Sequence, residues 1–156
     1  MHKILPFFAA LILLMGCNTT SEDVHINNIN GKWNKKSEQK FDFEITDAGH
    51  PKNIIFVVRN NNDYPYSNLR LIVNFLNNKT GKKDVDTLNY VMAEPNGNWI
   101  GKGFGETKEV LFQYKLDYRF PENGKYSIGV IQAMRSDNLP GIEDFGIKIE
   151  TAKAKP

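Results

Sequence analysis

Apolar and polar residues alternate with a period of two along most of this chain. Phe41, Phe43 and Ile45 alternate with Asp42, Glu44 and Thr46. Val110, Phe112, Tyr114, Leu116, Tyr118 and Phe120 alternate with Leu111, Gln113, Lys115, Asp117 and Arg119. Phe145, Ile147 and Ile149 alternate with Gly146, Lys148 and Glu150. A period of two puts successive side chains on opposite faces, so each stretch reads as a strand with one buried and one wet face. Residues 53–60, 68–76, 85–92 and 125–134 supply four more strands. Turn residues separate them: His50-Pro51, residues 60–65, Thr80-Gly81, Pro95-Asn96-Gly97 and residues 121–124. Asn-Gly pairs tolerate positive φ and mark hairpins. No stretch carries a helical stripe. Seven or eight antiparallel strands at this spacing predict an all-β domain, a β-sandwich or jelly roll.

The first residues break the pattern. Met1-His2-Lys3 precedes an apolar run from Ile4 to Met15, which ends at Gly16-Cys17. The run is too short for a bilayer core, which takes about 20 residues, and has the form of a secretory signal peptide. Leu14-Met15-Gly16-Cys17 resembles the bacterial lipobox, with cleavage between Gly16 and Cys17. In that motif the cysteine thiol carries diacylglycerol and the new N-terminus an acyl group such as palmitate. Stable anchoring takes more than one acyl chain, and this arrangement supplies it. The expected organisation is a signal peptide over 1–16, a lipidated tether over 17–28, a β-sandwich over 29–150 and a frayed tail over 151–156. Asn18, in place of Asp after the cysteine, is compatible with delivery to the outer membrane.

Composition narrows the chemistry. Lys and Arg total 20 against 18 Asp and Glu, a net charge of +2 that lacks the basic excess of a nucleic-acid binder. One cysteine forms neither an intramolecular disulfide nor a thiolate zinc site. Histidines stand only at positions 2, 25 and 50, and no Gly-x-Ser-x-Gly elbow is present. Glu94, Asp117, Glu143 and Asp144 are the carboxylates available for hydrolysis, and Asp63, Asp86 and Asp144 for calcium, without a supporting spacing. The residues 101–105, Gly-Lys-Gly-Phe-Gly, lack the P-loop spacing and read as a bent strand or bulge. Asp86-Thr87-Leu88 resembles the short signal for O-glycosylation of exported Bacteroidetes proteins. The expectation is a protein without catalytic residues, metal or cofactor, apart from the lipid on Cys17.

Aromatic residues near loops remain. Trp33, Tyr64, Tyr66, Trp99 and Phe104 sit among Asn, Asp and Arg, a mixture suited to glycan stacking or to a protein contact. The competing expectation is that most of them plug the ends of the sandwich. Tyr64 precedes Pro65 and is thereby pushed to extended geometry. If its loop meets the turn before Trp99, the two build an aromatic patch. Arg135 is placed to pair with Asp144 or Glu143.

The order of motifs along the chain is itself informative. Trp33-Asn34-Lys35 and Phe41-Asp42-Phe43 come first, followed by residues 59–69 (RNNNDYPYSNL) and Asp86-Thr87-Leu88. Residues 95–103 (PNGNWIGKG), Gln132-Ala133-Met134-Arg135, Leu139-Pro140-Gly141-Ile142 and Asp144-Phe145-Gly146-Ile147 complete the series. Together with the lipobox they resemble the GldH family of gliding motility lipoproteins from Bacteroidetes, over about residues 29–150. The resemblance implies an exported, non-catalytic lipoprotein of the gliding machinery, which in this phylum works alongside type IX secretion. It implies protein partners within that apparatus. A glycan-binding envelope module, with a planar strip of Trp33, Trp99 and Tyr66, is the alternative.

Overall fold

The computed structural model describes residues 22–153; the signal peptide expected over 1–16 and Cys17 lie outside them. Ten strands occur among the described residues, all in antiparallel pairs. The first sheet has the order β1 (Asp23–Asn28), β10 (Ile142–Thr151), β4 (Lys52–Asn60), β7 (Lys108–Tyr118). The second has the order β3 (Gln39–Ile45), β8 (Gly124–Gln132), β5 (Asn68–Asn77), β6 (Lys83–Val91). A short pair, β2 (Lys32–Asn34) and β9 (Asn138–Pro140), closes one corner. The two large sheets face each other as a β-sandwich, as the period-two pattern requires.

Alternation determines the core. In β3 the burial runs strictly in and out, and Phe41, Phe43 and Ile45 all point inward. Phe145 of β10 gathers Trp33, Phe41 and Phe56 around it at ring distances of 5.2, 6.1 and 5.3 Å. Farther along, Phe43, Phe75, Phe120 and Tyr126 form a second aromatic group, with Phe120 and Tyr126 4.7 Å apart. Rings of this size dominate the buried area.

Three expectations are corrected. Residues 23–28, read as the end of a tether, form β1 and pair with β10 from Asp23↔Ile149 to Asn28↔Asp144. Their pattern is inverted: Val24 and Ile26 face solvent, while Asn27 turns between the sheets and its amide donates to Gln39 Oε1. Backbone pairing to β10 holds β1, without an apolar inner face. At the other end β10 runs to Thr151, and Ala152 N–H donates to the Pro51 carbonyl, so the tail begins later than expected.

The third correction concerns β7. Val110 and Phe112 point inward, but the register against β4 then slips twice, pairing Ile55 with Gln113, Ile54 with Lys115 and Lys52 with Tyr118. Such bulges add residues to one strand and bend it. Leu116, expected on the buried face, is therefore 49% exposed. Lys115 turns over the rings of Tyr114 and Tyr118, at 4.7 and 5.5 Å, and reaches Asp86 at 3.2 Å. The Tyr114 hydroxyl, 2.6 Å from Asp86, and then Lys115 hold that carboxyl below the usual carboxylate range.

The β6 and β7 edges lie against each other. Tyr90 stacks on Phe112 at 4.3 Å, and its hydroxyl donates to the Gln113 carbonyl. Burial, with the Asp86 charge adding to it, pushes this hydroxyl up to about 12, and Tyr64 and Tyr114 are raised as well. A proton held more tightly in the folded state stabilises the fold below the unfolded value near 10. That contribution is lost as pH rises through the folded value. The melting temperature should therefore fall between about pH 10 and pH 12, and Tyr90→Phe should make the fall shallower. Superimposable melting profiles for the two proteins over this window would refute the assignment.

Candidate functional site

Two loops meet at the end of the sandwich where β4 stops. The first follows Asn60. Its Asn61 N–H donates to the Gly141 carbonyl, its Asn61 amide to Glu143 Oε1, and its Asp63 N–H to Asn61 Oδ1 at 2.9 Å. This local side-chain turn, with Pro65 behind it, fixes the path of Tyr64. Tyr64 is only 3% exposed, and its hydroxyl donates to the Asn68 carbonyl at 2.7 Å. Its burial is what raises its pKa. The loop ends at Ser67, whose carbonyl accepts from both Met92 and Ala93 N–H groups.

Those two residues open the second loop, a hairpin extension of β6. Ala93 bridges to Trp99, Glu94 N–H donates to the Asn98 carbonyl, and Gly97 N–H donates to the Glu94 carbonyl. Gly97 takes the positive φ, +87°, that the turn demands. The Trp99 indole N–H then crosses to Asn62 Oδ1 at 3.3 Å. The Tyr64 ring stands 6.0 Å from Tyr66 at 74° and 6.2 Å from Trp99 at 54°. The result is an open groove of about 460 Å³, lined among others by Tyr66, Val91, Glu94, Pro95 and Trp99 over Tyr64.

The structure thus brings together Tyr64, Tyr66 and Trp99, with Tyr64 as the floor and the other two rings half-buried at the walls. Trp33 does not belong to this surface. It is fully buried in β2, its indole N–H donates to the Ser37 carbonyl, and it packs on Phe145. Arg135 is exposed on the loop after β8, outside the groove. It does not pair with Asp144, which Arg59 holds at 3.4 Å, nor with Glu143, which accepts from Asn61. Val91 was missed, although it continues the outward register of Val85, Thr87 and Asn89 in β6. Glu94, considered from sequence only as a hydrolytic carboxylate, lines the groove.

The remaining candidates fall elsewhere. Lys102 of the glycine-rich segment pairs with Glu109 on the β7 edge, in keeping with a bent strand, and leaves Phe104 fully exposed at its tip. Asp63, Asp86 and Asp144 do not converge, and among the described residues no group of three or more His, Cys, Asp and Glu could hold a metal. Asp47, Asp86, Glu122 and Glu150 are each held below the usual carboxylate range, chiefly by the side-chain hydrogen bonds of His50, Tyr114, Lys79 and Lys148 respectively.

Fold and site together define an antiparallel β-sandwich in which two loops are pressed together as an aromatic groove. A solved carbohydrate-binding module, CBM28, specific for non-crystalline cellulose, superimposes at a TM-score of 0.40 with 13% identity, covering 84% of this chain and 82% of that one. The chain belongs to the GldH lipoprotein family, whose model matches residues 22–149. It is 38% identical over 155 residues to a gliding motility lipoprotein GldH homolog of Christiangramia forsetii, covering 95% of this chain and 94% of the relative. It is 37% identical over 148 residues to the gliding motility lipoprotein GldH of Flavobacterium johnsoniae, covering 90% and 91%.

Proposed function

We propose that this protein is a lipid-anchored, non-catalytic component of the gliding motility machinery, held in the outer membrane through Cys17 and working alongside type IX secretion. It acts by protein contacts, and the groove between Tyr66 and Trp99 is the contact surface. The observation that carries this reading is the groove itself, in which two loops distant in sequence are fastened together by Ser67 and Asn62. Preorganised aromatic walls of this kind suit a protein hot spot. The names of the two relatives supply the biological setting. Trp33, one of the three rings of the planar strip that a glycan platform would use, is buried, which favours a protein contact over a glycan.

The test is surface spreading of a deletion strain complemented with wild type or with Cys17→Ala. Spreading should return with the wild type and stay absent with Cys17→Ala, which lacks the thiol for lipidation. Equal spreading by both strains would remove the anchor from the account. Normal spreading of the deletion strain itself would remove the motility role.

A further inference from the structure

The groove bears a charge that its surroundings leave unanswered. Glu94 lines it, Asp63 stands beside the Tyr64 floor, and both are exposed. Among the described residues, neither carboxylate has an ion pair or a side-chain hydrogen bond. No lysine or arginine lines the groove. Many acidic groups elsewhere are answered, Glu109 and Asp144 by Arg59, Glu122 by Lys79, Glu150 by Lys148 and Asp86 by Lys115. What sets Glu94 apart from other unpaired acids such as Glu44, Asp84 and Glu106 is its place on the wall of an aromatic groove. In a chain of net charge +2, this groove is a local negative site with apolar walls.

We infer that the groove receives an extended apolar segment of a partner protein that carries a lysine or arginine against Glu94. The inference rests on the contact-making role proposed above and adds the chemistry of the partner. A cation beside Glu94 would also lie next to the faces of Trp99 and Tyr66, where ring quadrupoles attract it. Val91, Pro65 and Pro95 offer the apolar contact for its neighbours.

The groove lies far from where the described chain begins. Asp23 of β1 pairs with Ile149, which pairs with Ile54, so β1 starts beside the start of β4, whereas the groove opens beyond Asn60 at the other end of that strand.

The test uses the full lipoprotein in nanodiscs, screened against a bead-displayed library of random octapeptides. Enriched peptides should carry Lys or Arg beside apolar residues and should change the emission of Trp99, while Trp33 stays buried. Glu94→Gln should weaken them about two- to fivefold without moving the melting temperature, and added salt should weaken them similarly. Enrichment of peptides lacking basic residues, equal binding by Glu94→Gln, or no enrichment would each overturn the inference. So would binding of a cello-oligosaccharide in competition with the peptides. None of these results depends on spreading of the complemented strain, so the partner chemistry can fail while the motility role stands.

Discussion

Trp33→Ala should cost about 3–5 kcal/mol of folding stability, the range for emptying a buried site of this size. Trp33 is the single inward residue of a three-residue strand, and its ring is 0% exposed. It lies 5.2 Å from Phe145, the ring that also gathers Phe41 and Phe56, so the cavity would open at the meeting point of both sheets. The Ser37 carbonyl would lose the indole donor as well. Domains of this size have about 5–15 kcal/mol in total, so at least about a fifth of the stability is at stake. Urea unfolding followed by circular dichroism measures the loss. A surface tryptophan would cost within about 0.5 kcal/mol, and that result would put Trp33 back among the contact residues.

Gly141→Ala is the second large effect, for a different reason. Gly141 has φ +80°, and a Cβ there would fall 2.2 Å from the Tyr64 nitrogen and 2.5 Å from its Cα. Both obstacles are backbone and cannot rotate away. The same glycine accepts from Asn61 N–H and donates to the Gly31 carbonyl, so it joins the corner of the sandwich to the groove loop. Strain and overpacking together should cost about 2–4 kcal/mol. Gly97→Ala is the matched control. Its φ is +87°, but nothing lies within 4 Å of the added Cβ, so only the left-handed backbone penalty of about 1–2 kcal/mol applies. Equal losses at both positions, by thermal and urea unfolding, would show that the close approach to Tyr64 has no energetic weight.

These two residues mark where sequence reasoning succeeds and stops. The long strands are legible because a half-buried strand must alternate, as β3, β5, β6 and the first part of β7 do, and because a central strand such as β4 shows an unbroken apolar run. β2 and β9 are three residues each, too short to show a period. β1 hides because its apolar residues face solvent and its inner side is polar. Trp33, between Lys32 and Asn34, reads as a surface ring, yet one inward position in a short strand is enough to bury it. The bulge that exposes Leu116 follows from pairing against β4, which no local pattern encodes.

The site was legible in part for the same reason. The turn chemistry at residues 61–65 and 95–97 is local, and Tyr64, Tyr66 and Trp99 could be singled out from it. Their meeting is not local: it depends on Ser67 accepting from Met92 and Ala93, on Asn62 accepting from Trp99, and on the room that Gly141 leaves. Glu94 looked like any surface acid until the groove placed it between Val91 and Trp99.

The most direct test of the account is spreading of the deletion strain complemented with Trp99→Ala, alongside fractionation and a melting curve of the same variant. Trp99 is half-buried at the rim, so the variant should fold cooperatively, lose less stability than Trp33→Ala and remain in the membrane fraction. The account predicts that this folded and anchored protein fails to restore spreading. Full spreading with Trp99→Ala would contradict it, because the machinery would then be using some other surface of the sandwich.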